Sequence, residues 1–401
     1  MTLRPIHRLP RVRALLIASL GVGVLMGASL LAAATVAVGA TPSPAPSTTA
    51  HPGKTPVFAY YYIWFTAASW ERAKIDLPLL GKYTSDDPAV IAKHIEWAQS
   101  AGIDGFIVSW KHQPRLDRPL QLLVAEAAKR NFKLILLYQG LDVNRNPIDP
   151  KQVASDIQWF SQNYGDNPVF NVFGKPAVVW SGTWKFTETD IATVRSAIDA
   201  PNKLLLLGSE RSGTDYQARA SVLDGDAYYW SSADPLGTPG YPRRIEDLGA
   251  AIAADHGLWI APITPGFDAR LLGGTTIVPR REGATYRASW KAAADTQPSV
   301  LGIISWNEFS ENSHIEPSSQ NALFYLDATR DLVGTIGAAQ SASPGKSLDP
   351  GSLGPGDSSE PPPGSSDIQE KLSLAAGVAL LVALTVIMLR MRRRPVRDIG
   401  E

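Results

Sequence analysis

Three carboxylates, two side-chain amides and a histidine crowd into one short stretch, Ser305-Trp306-Asn307-Glu308-Phe309-Ser310-Glu311-Asn312-Ser313-His314-Ile315-Glu316-Pro317. Two glutamates a few residues apart on one loop can flank a sugar. One would protonate the leaving oxygen of a glycosidic bond while the other acts at the opposite side of the anomeric carbon. Mutual repulsion and burial would hold one of them protonated near neutrality. The plainer alternative is a pair of loop carboxylates that caps the next helix or meets an arginine. Glu316, followed by Pro317, reads as a brace for the loop. His314 reads as a supporting or solvent-facing residue rather than a metal ligand, because no second ligand stands at a suitable spacing.

Something rigid must present this loop. The apolar run Val300-Leu301-Gly302-Ile303-Ile304 just before it is short and β-branched, as a buried strand is. The same strand-then-helix alternation is repeated along the chain. Strands are expected at 57–64, 103–110, 132–138, 176–180, 203–208, 225–230, 258–263 and 300–306. Helices are expected at 88–100, 116–130, 150–164, 188–198, 216–220, 245–256, 284–294 and 321–333. Eight such units in about 280 residues imply an α/β fold, a (β/α)8 TIM barrel of parallel strands and crossover helices. No phosphate-cradling Gly-x-Gly-x-x-Gly loop follows the first strand.

A barrel of this kind gathers function where its strands end. Strand one ends in Tyr60, Tyr62 and Trp64, strand two in Trp110, and strand five in Glu210. Strand six ends in Tyr229 and Trp230, and strand eight in Asn307, Glu308 and Glu311. Aromatic, amide and carboxylate groups around one mouth describe a pocket for a neutral, polyhydroxylated ligand. The expected catalytic pair is Glu308 and Glu311. The expected binding residues are Tyr60, Tyr62, Trp64, Trp110, Tyr229, Trp230, Asn307 and Glu210, with no metal and no cofactor.

Composition agrees with a large folded domain that avoids nucleic acid. The chain has 401 residues, 44% hydrophobic and 19% charged, with formal net charge +0 and no cysteine. Neutrality argues against a nucleic-acid surface, and the missing thiols exclude disulfides and thiol catalysis. The ends read differently from the middle. Residues 1–40, with Arg4, Arg8, Arg11 and Arg13 before an Ala-rich apolar run, read as a signal peptide or an uncleaved signal anchor. A Pro/Ser/Thr linker follows at 41–54, and the catalytic barrel is expected over 55–338. A Ser/Pro/Gly-rich linker covers 339–370. An apolar stretch at 371–390 is long enough to span a bilayer, and 391–401 forms a basic tail. The positive-inside rule then puts the tail in the cytoplasm and the barrel outside, on a single-pass or two-pass membrane protein.

The strand-eight loop resembles that of glycoside hydrolase family 99, in which an Asn-Glu pair is followed by a second Glu three positions after the first. Those are Asn307, Glu308 and Glu311 here, with Ile315-Glu316-Pro317 matching the end of the motif. Ala59–Phe65 resembles the family's Tyr-rich opening strand. Ser85-Asp86-Asp87-Pro88, with His94, Trp97, Ala98 and Gly102–Trp110, resembles its second unit. Pro265-Gly266-Phe267-Asp268 and Arg281-Glu282-Gly283-Ala284-Thr285-Tyr286 resemble its seventh loop and helix. The likeness spans about Pro56 to Thr329. It departs at Phe309-Ser310, where the family has Trp-His, and at Asn312-Ser313-His314, where it prefers Gly-Thr-Gln. Ser313-His314 is similar to a Ser-His pair of the family 71 α-1,3-glucanases, and barrels of polysaccharide-biosynthesis clusters share much of this loop.

The resemblance implies an endo-α-mannosidase-like glycosidase acting on an oligo- or polysaccharide with α-mannoside or α-glucan linkages. It further implies that Glu308 acts as a base on the sugar's own 2-hydroxyl, giving an epoxide-like intermediate, and that Glu311 acts as acid and then base. A surface barrel that binds glycans without turnover, or a protein of polysaccharide biosynthesis, is the alternative.

Overall fold

The computed structural model describes residues 54–198 and 204–341. The expected signal or anchor at 1–40, the apolar stretch at 371–390, the tail at 391–401 and nearly all of both linkers lie outside the described residues. Among the described residues no helix is long and apolar enough to cross a membrane.

Eight parallel strands close into a barrel: β1 (Val57–Tyr62), β2 (Gly105–Trp110), β3 (Lys133–Gln139), β4 (Ala177–Ser181), β5 (Leu205–Gly208), β6 (Gly225–Asp226), β7 (Leu258–Ile263) and β10 (Val300–Ile303). The first and last strands meet at the seam, where Val57, Phe58 and Ala59 pair with Leu301, Gly302 and Ile303. Two further short strands, β8 (Phe267–Asp268) and β9 (Ile277–Val278), form an antiparallel ribbon in the β7 connection. Eight helices surround the barrel: α1 (Pro88–Ser100), α2 (Pro114–Lys129), α3 (Pro150–Tyr164), α4 (Glu188–Ala197), α5 (Gly213–Gln217), α6 (Tyr241–Ala254), α7 (Ala284–Asp295) and α8 (Phe324–Ser341).

Local chemistry explains most helix starts. Asp87 and Asp149 accept from the backbone N–H groups of Ala89 and Lys151, and Pro88 and Pro150 supply the fixed φ of a first turn. Thr187 and Asp190 form a reciprocal capping box at α4. The expected starts of α1, α3 and α4 therefore stand, and α7 also begins as expected, after Gly283 at φ 81°. Others move. The fifth helix is Gly213–Gln217 rather than 216–220, because Ser212 caps it through Asp215 N–H. The sixth begins at Tyr241, four residues early, where Pro242 fits the first turn. Strand six shrinks to Gly225–Asp226, since Tyr228–Trp230 pair with no neighbour. The last helix starts at Phe324 because Ser318 bridges Ala322 just before it.

Two apolar layers hold the barrel. Phe58, Tyr60, Tyr62, Ile107, Ile135, Leu137, Val179, Leu207, Ile260 and Val300 fill its interior. Val57, Ala59, Tyr61, Phe106, Val108, Trp110, Leu134, Leu136, Trp180 and Leu301 pack outward on the helices. Nearly every strand residue is thus buried on one face or the other, as parallel strands roofed by crossover helices must be.

Strand β6 approaches β7 so closely that a side chain has no room at Gly225. A Cβ there would lie 2.0 Å from the Leu258 carbonyl oxygen and 2.6 Å from its nitrogen. Gly225→Ala is therefore expected to destabilise the barrel by about 2–4 kcal/mol, since the obstacle is backbone and cannot swing aside. Thermal denaturation of the variant checks this. An unchanged Tm would mean that β6 can slide along its neighbour.

Candidate active site

The loop after β10 is closed on itself before it carries anything. Ser305 N–H donates to the Ser313 carbonyl at 2.8 Å, and Ile315 N–H returns to the Ser305 carbonyl at 2.9 Å. Trp306 N–H donates to the Tyr60 carbonyl at 2.8 Å and Glu316 N–H to the Trp306 carbonyl at 2.8 Å. Residues 305–315 therefore form a compact loop whose ends meet. Asn312 takes φ 47° at its apex, a left-handed conformation that asparagine tolerates better than most residues.

Side chains then fix the loop to the barrel. The Asn307 amide accepts from Tyr62 N–H at 2.8 Å and donates to the Tyr62 carbonyl at 2.9 Å. It occupies the place of a strand partner beyond the last backbone pair of the seam. Glu316, wholly buried, accepts from the Tyr83 hydroxyl at 2.8 Å and lies 3.1 Å from His94 Nε2, whose Nδ1 is 3.0 Å from the Tyr61 hydroxyl. The set of anchoring bonds ends at Arg280, which donates to the carbonyls of Asn312 (2.9 Å) and His314 (2.8 Å). A backbone bond from Asp268 N–H in the ribbon to the Glu311 carbonyl, 2.7 Å, holds the remaining side.

This anchoring delivers two carboxyls to the mouth. Glu308 is 6% exposed and accepts from Ser310 N–H at 3.0 Å. Burial pushes its carboxyl up to about 7, against the pull of the Ser310 hydrogen bonds and the Lys74 ammonium. Glu311 is pushed up to about 8 by burial first and by the charge of Glu308 second. The Tyr229 hydroxyl lies 3.4 Å from Glu311 Oε2. Burial and the Glu311 charge raise the phenols of Tyr62 and Tyr229 well above their ordinary range, so both remain donors. A pair that repels in a dry site holds one proton between two carboxyls near neutrality. That is the state required of an acid facing a base.

Of the aromatic residues expected around the site, Tyr62 and Tyr229 stand at the carboxyls, and half-buried Trp64 packs on Tyr62 with ring centroids 4.4 Å apart. Tyr60 lies one layer lower, buried in the barrel with its ring edge-on to Tyr229 at 5.1 Å. Trp110 and Trp230 lie in the outer layer, packed on the helices rather than brought to the two carboxyls. Trp110 donates to Asp117 of α2 at 2.9 Å and stacks on Trp159 of α3. Trp230 stacks on Tyr241 of α6 under the Arg244 guanidinium. Asn307 is buried, with its amide bonded to both backbone groups of Tyr62 and its Nδ2 also 3.4 Å from the Tyr83 hydroxyl. Glu210 is fully buried and lies 3.3 Å from Arg219, outside the carboxyl pair.

Four supporting residues lay outside the expected site set: Asp76, Tyr83, His94 and Lys74. His94 carried a signal, a histidine on the apolar face of α1, and Lys74 carried none. His314 is buried rather than solvent-facing, with its Nε2 3.2 Å from Asp76. Burial lowers its pKa to about 4 despite that carboxylate, so its ring is neutral. Among the described residues no group of three or more histidines and carboxylates is arranged to hold a metal ion.

A closed parallel barrel with one buried and one half-buried carboxyl at the carboxyl ends of its strands defines the class, a (β/α)8 barrel of the glycoside hydrolase type. The chain belongs to glycosyl hydrolase family 99, whose sequence signature matches residues 73–332. It is 24% identical over 281 residues to the glycoprotein endo-alpha-1,2-mannosidase of Mus musculus, and 24% identical over 278 residues to that of Rattus norvegicus. In both cases the match covers 62% of this chain and 59% of the relative, so the chain spans about three fifths of their length. Among solved structures it is similar to the GH99 endo-alpha-mannosidase of Bacteroides thetaiotaomicron, with 25% identity and a TM-score of 0.64. That match covers 72% of this chain and 99% of the other.

Both carboxyls are raised above their unfolded value, so the folded state holds a proton that the unfolded chain releases. Stability from this source is full below the unfolded pKa of about 4.3 and is lost as pH climbs towards the folded values. Glu308→Gln and Glu311→Gln are therefore each expected to raise Tm, with a gain that grows between pH 5 and pH 8. Differential scanning calorimetry across that range checks it. A gain independent of pH would mean the carboxyls are not strained by burial.

Proposed function

We propose that this chain hydrolyses α-mannosidic bonds within oligo- or polysaccharides, with retention, through Glu308 and Glu311. The observation that carries the reading is the pair of glutamates three residues apart at the barrel mouth, Glu308 buried and Glu311 half-buried, with both carboxyls pushed up. Family membership and the names of the mannosidase relatives favour mannosides over the α-glucans also considered from the sequence.

In the first step ionised Glu308 takes the proton from the sugar's 2-hydroxyl, and that oxygen bonds to the anomeric carbon. The bond from the anomeric carbon to the leaving oxygen breaks, and the leaving oxygen takes the proton from Glu311. In the second step Glu311, now ionised, takes a proton from water as the water oxygen bonds to the anomeric carbon. The ring-opened 2-oxygen recovers its proton from Glu308, and both carboxyls return to their starting states. Two inversions give net retention. Tyr62 and Tyr229, held protonated, can donate to the substrate or to the carboxylates throughout.

The same reading puts the barrel outside the cytoplasm, tethered by the apolar stretch at 371–390. Protease added to intact cells is then expected to release the active domain by cutting within 339–370, and an uncut chain would remove the proposed topology.

Glu308→Gln and Glu311→Gln are each expected to lower kcat/KM on an α-mannan oligosaccharide by at least about 10²-fold, the scale of a positioned acid or base. Oligosaccharide binding should survive, because the amide nearly keeps the shape. Near-normal turnover by either variant would sink the assignment. Binding without turnover by the parent chain would favour a glycan-binding barrel.

A second measurement separates the two retaining routes. Because the attacking oxygen belongs to the substrate, a 2-deoxy-2-fluoro mannoside is expected to leave the protein mass unchanged, and a 2-deoxy substrate is expected to be inert. A stoichiometric adduct on Glu308 or Glu311 would instead identify an ordinary enzyme nucleophile.

A further inference from the structure

Among the described residues, every large hydrophobic side chain that stands exposed lies on a connection leaving the carboxyl end of a strand, or on the residue that opens the next helix. None stands elsewhere on a helix or on a connection at the closed end of the barrel. Leu77 and Leu79 belong to the long excursion between β1 and α1, and Leu323 and Phe324 follow the catalytic loop. Leu271 and Ile277 belong to the connection that carries the β8–β9 ribbon, and Leu236 to the connection between β6 and α6. Val143, after β3, is the eighth. In the barrel β6, β7, β10 and β1 are consecutive neighbours. Seven of the eight therefore stand on one half of the rim.

Those four connections are bonded into one surface. Leu79 N–H donates to the Pro317 carbonyl at 2.9 Å and Ser319 N–H to the Leu77 carbonyl at 2.8 Å, which joins the excursion to the loop after β10. Asp268 N–H reaches the Glu311 carbonyl, and Arg280 reaches those of Asn312 and His314, which joins that loop to the β7 connection. Arg281 pairs with Asp234 at 2.7 Å and extends the contacts to the β6 connection. Apolar side chains scattered singly over a surface need no explanation, whereas a set gathered along one edge marks an interaction face. The exposed charges beside them are of both signs, Arg72 and Lys82 against Glu71 and Glu282. Apolar burial rather than charge has to supply the attraction to a partner.

Resting on the glycosidase reading and on the tether read at 371–390, we propose that this arc of the rim docks on a lipid bilayer and that the chain takes its α-mannosides from glycolipids anchored there. Six of the seven side chains are aliphatic and offer no flat aromatic face to a sugar ring. Aliphatic tips on separate loops suit the headgroup and acyl boundary, where interfacial apolar groups are buried by about 5–10 Å. The linker left between the last described helix and the apolar stretch, 342–370, is rich in Ser, Pro and Gly. A run of that length reaches about 100 Å when extended, and a domain of about 280 residues is roughly 50 Å across. A barrel tethered in this way can turn its mouth to the membrane that holds it. Docking of the arc beside Glu308 and Glu311 brings both carboxyls to sugars that stand on the same bilayer.

The chain has no cysteine, so single cysteines can be labelled in the full protein reconstituted in phosphatidylcholine vesicles. A fluorophore at Leu79→Cys or Leu236→Cys is expected to be quenched by nitroxide-labelled lipid at least about threefold more than one at Glu96→Cys, exposed on α1, and to stay so in high salt. Equal quenching at the three positions would overturn docking on lipid and leave the arc to a protein partner. Turnover is then read on one α-mannan oligosaccharide in two forms, free in solution and joined to diacylglycerol in the same vesicles. Leu79→Ser combined with Leu236→Ser is expected to lower kcat/KM on the lipid-borne form by about tenfold and to keep parental turnover of the free form. An equal loss on both forms would make the rim a sugar platform, and no loss on either would leave lipid without a role. Each of those results overturns the proposal. A parent chain that cuts neither form would sink the glycosidase reading instead, and the quenching would still judge the docking.

Discussion

One side-chain amide joins the beginning of this barrel to its end. The backbone pairing of β1 with β10 stops at Ala59 and Ile303, yet the chain on both sides continues towards the mouth. Asn307 takes over from the missing ladder by presenting an acceptor and a donor to the two backbone groups of Tyr62. The next residue is Glu308, so the position of the first carboxyl is set by the closure of the sheet. Neighbouring contacts serve the same seam. Glu316 reaches Tyr83 and His94, and Trp306 N–H reaches the Tyr60 carbonyl. Buried networks of this kind are effective because every partner is satisfied, and losing one leaves the rest unpaired in a dry interior.

Burial also creates the chemistry. A solvated pair of glutamates would both be ionised at neutral pH and neither could act as an acid. Removing water raises both carboxyls, and repulsion keeps the second from ionising freely once the first has done so. Tyr62 and Tyr229 add donors that do not titrate near neutrality. The arrangement is unfavourable for folding, and the outer apolar layer and the helix caps supply the stability that tolerates it.

The alternation of strand and helix was plain in the sequence because each unit changes hydrophobic period, and the two glutamates were plain because three acids follow one buried strand. The direction of the strand-end aromatics was not. Tyr62 points inward and Trp110 outward, although both end a strand. Strand parity decides this, and in a parallel barrel both parities are apolar, so no polar alternation reveals it. The bond of Asn307 to Tyr62 is invisible for a related reason: its partner is backbone, and a backbone partner 245 positions away leaves no mark in composition. Asp76 sits in an irregular excursion with no period at all, and its contact with His314 arises only from what the fold lays against it.

The directions of the outermost elements carry a consequence for access. Strand β1 starts at the closed end of the barrel, where Leu301 N–H meets the Pro56 carbonyl. Helix α8 begins near the mouth and returns to that same end, with Arg330 bonded to the Ser100 carbonyl and Val333 against Gly102. The polypeptide therefore enters and leaves the barrel through the face opposite the carboxyls. Among the described residues, neither the first nor the last element of the barrel crosses its mouth. The mouth is bordered instead by the β1–α1 excursion and the β8–β9 ribbon, the two segments bonded to the strand-eight loop.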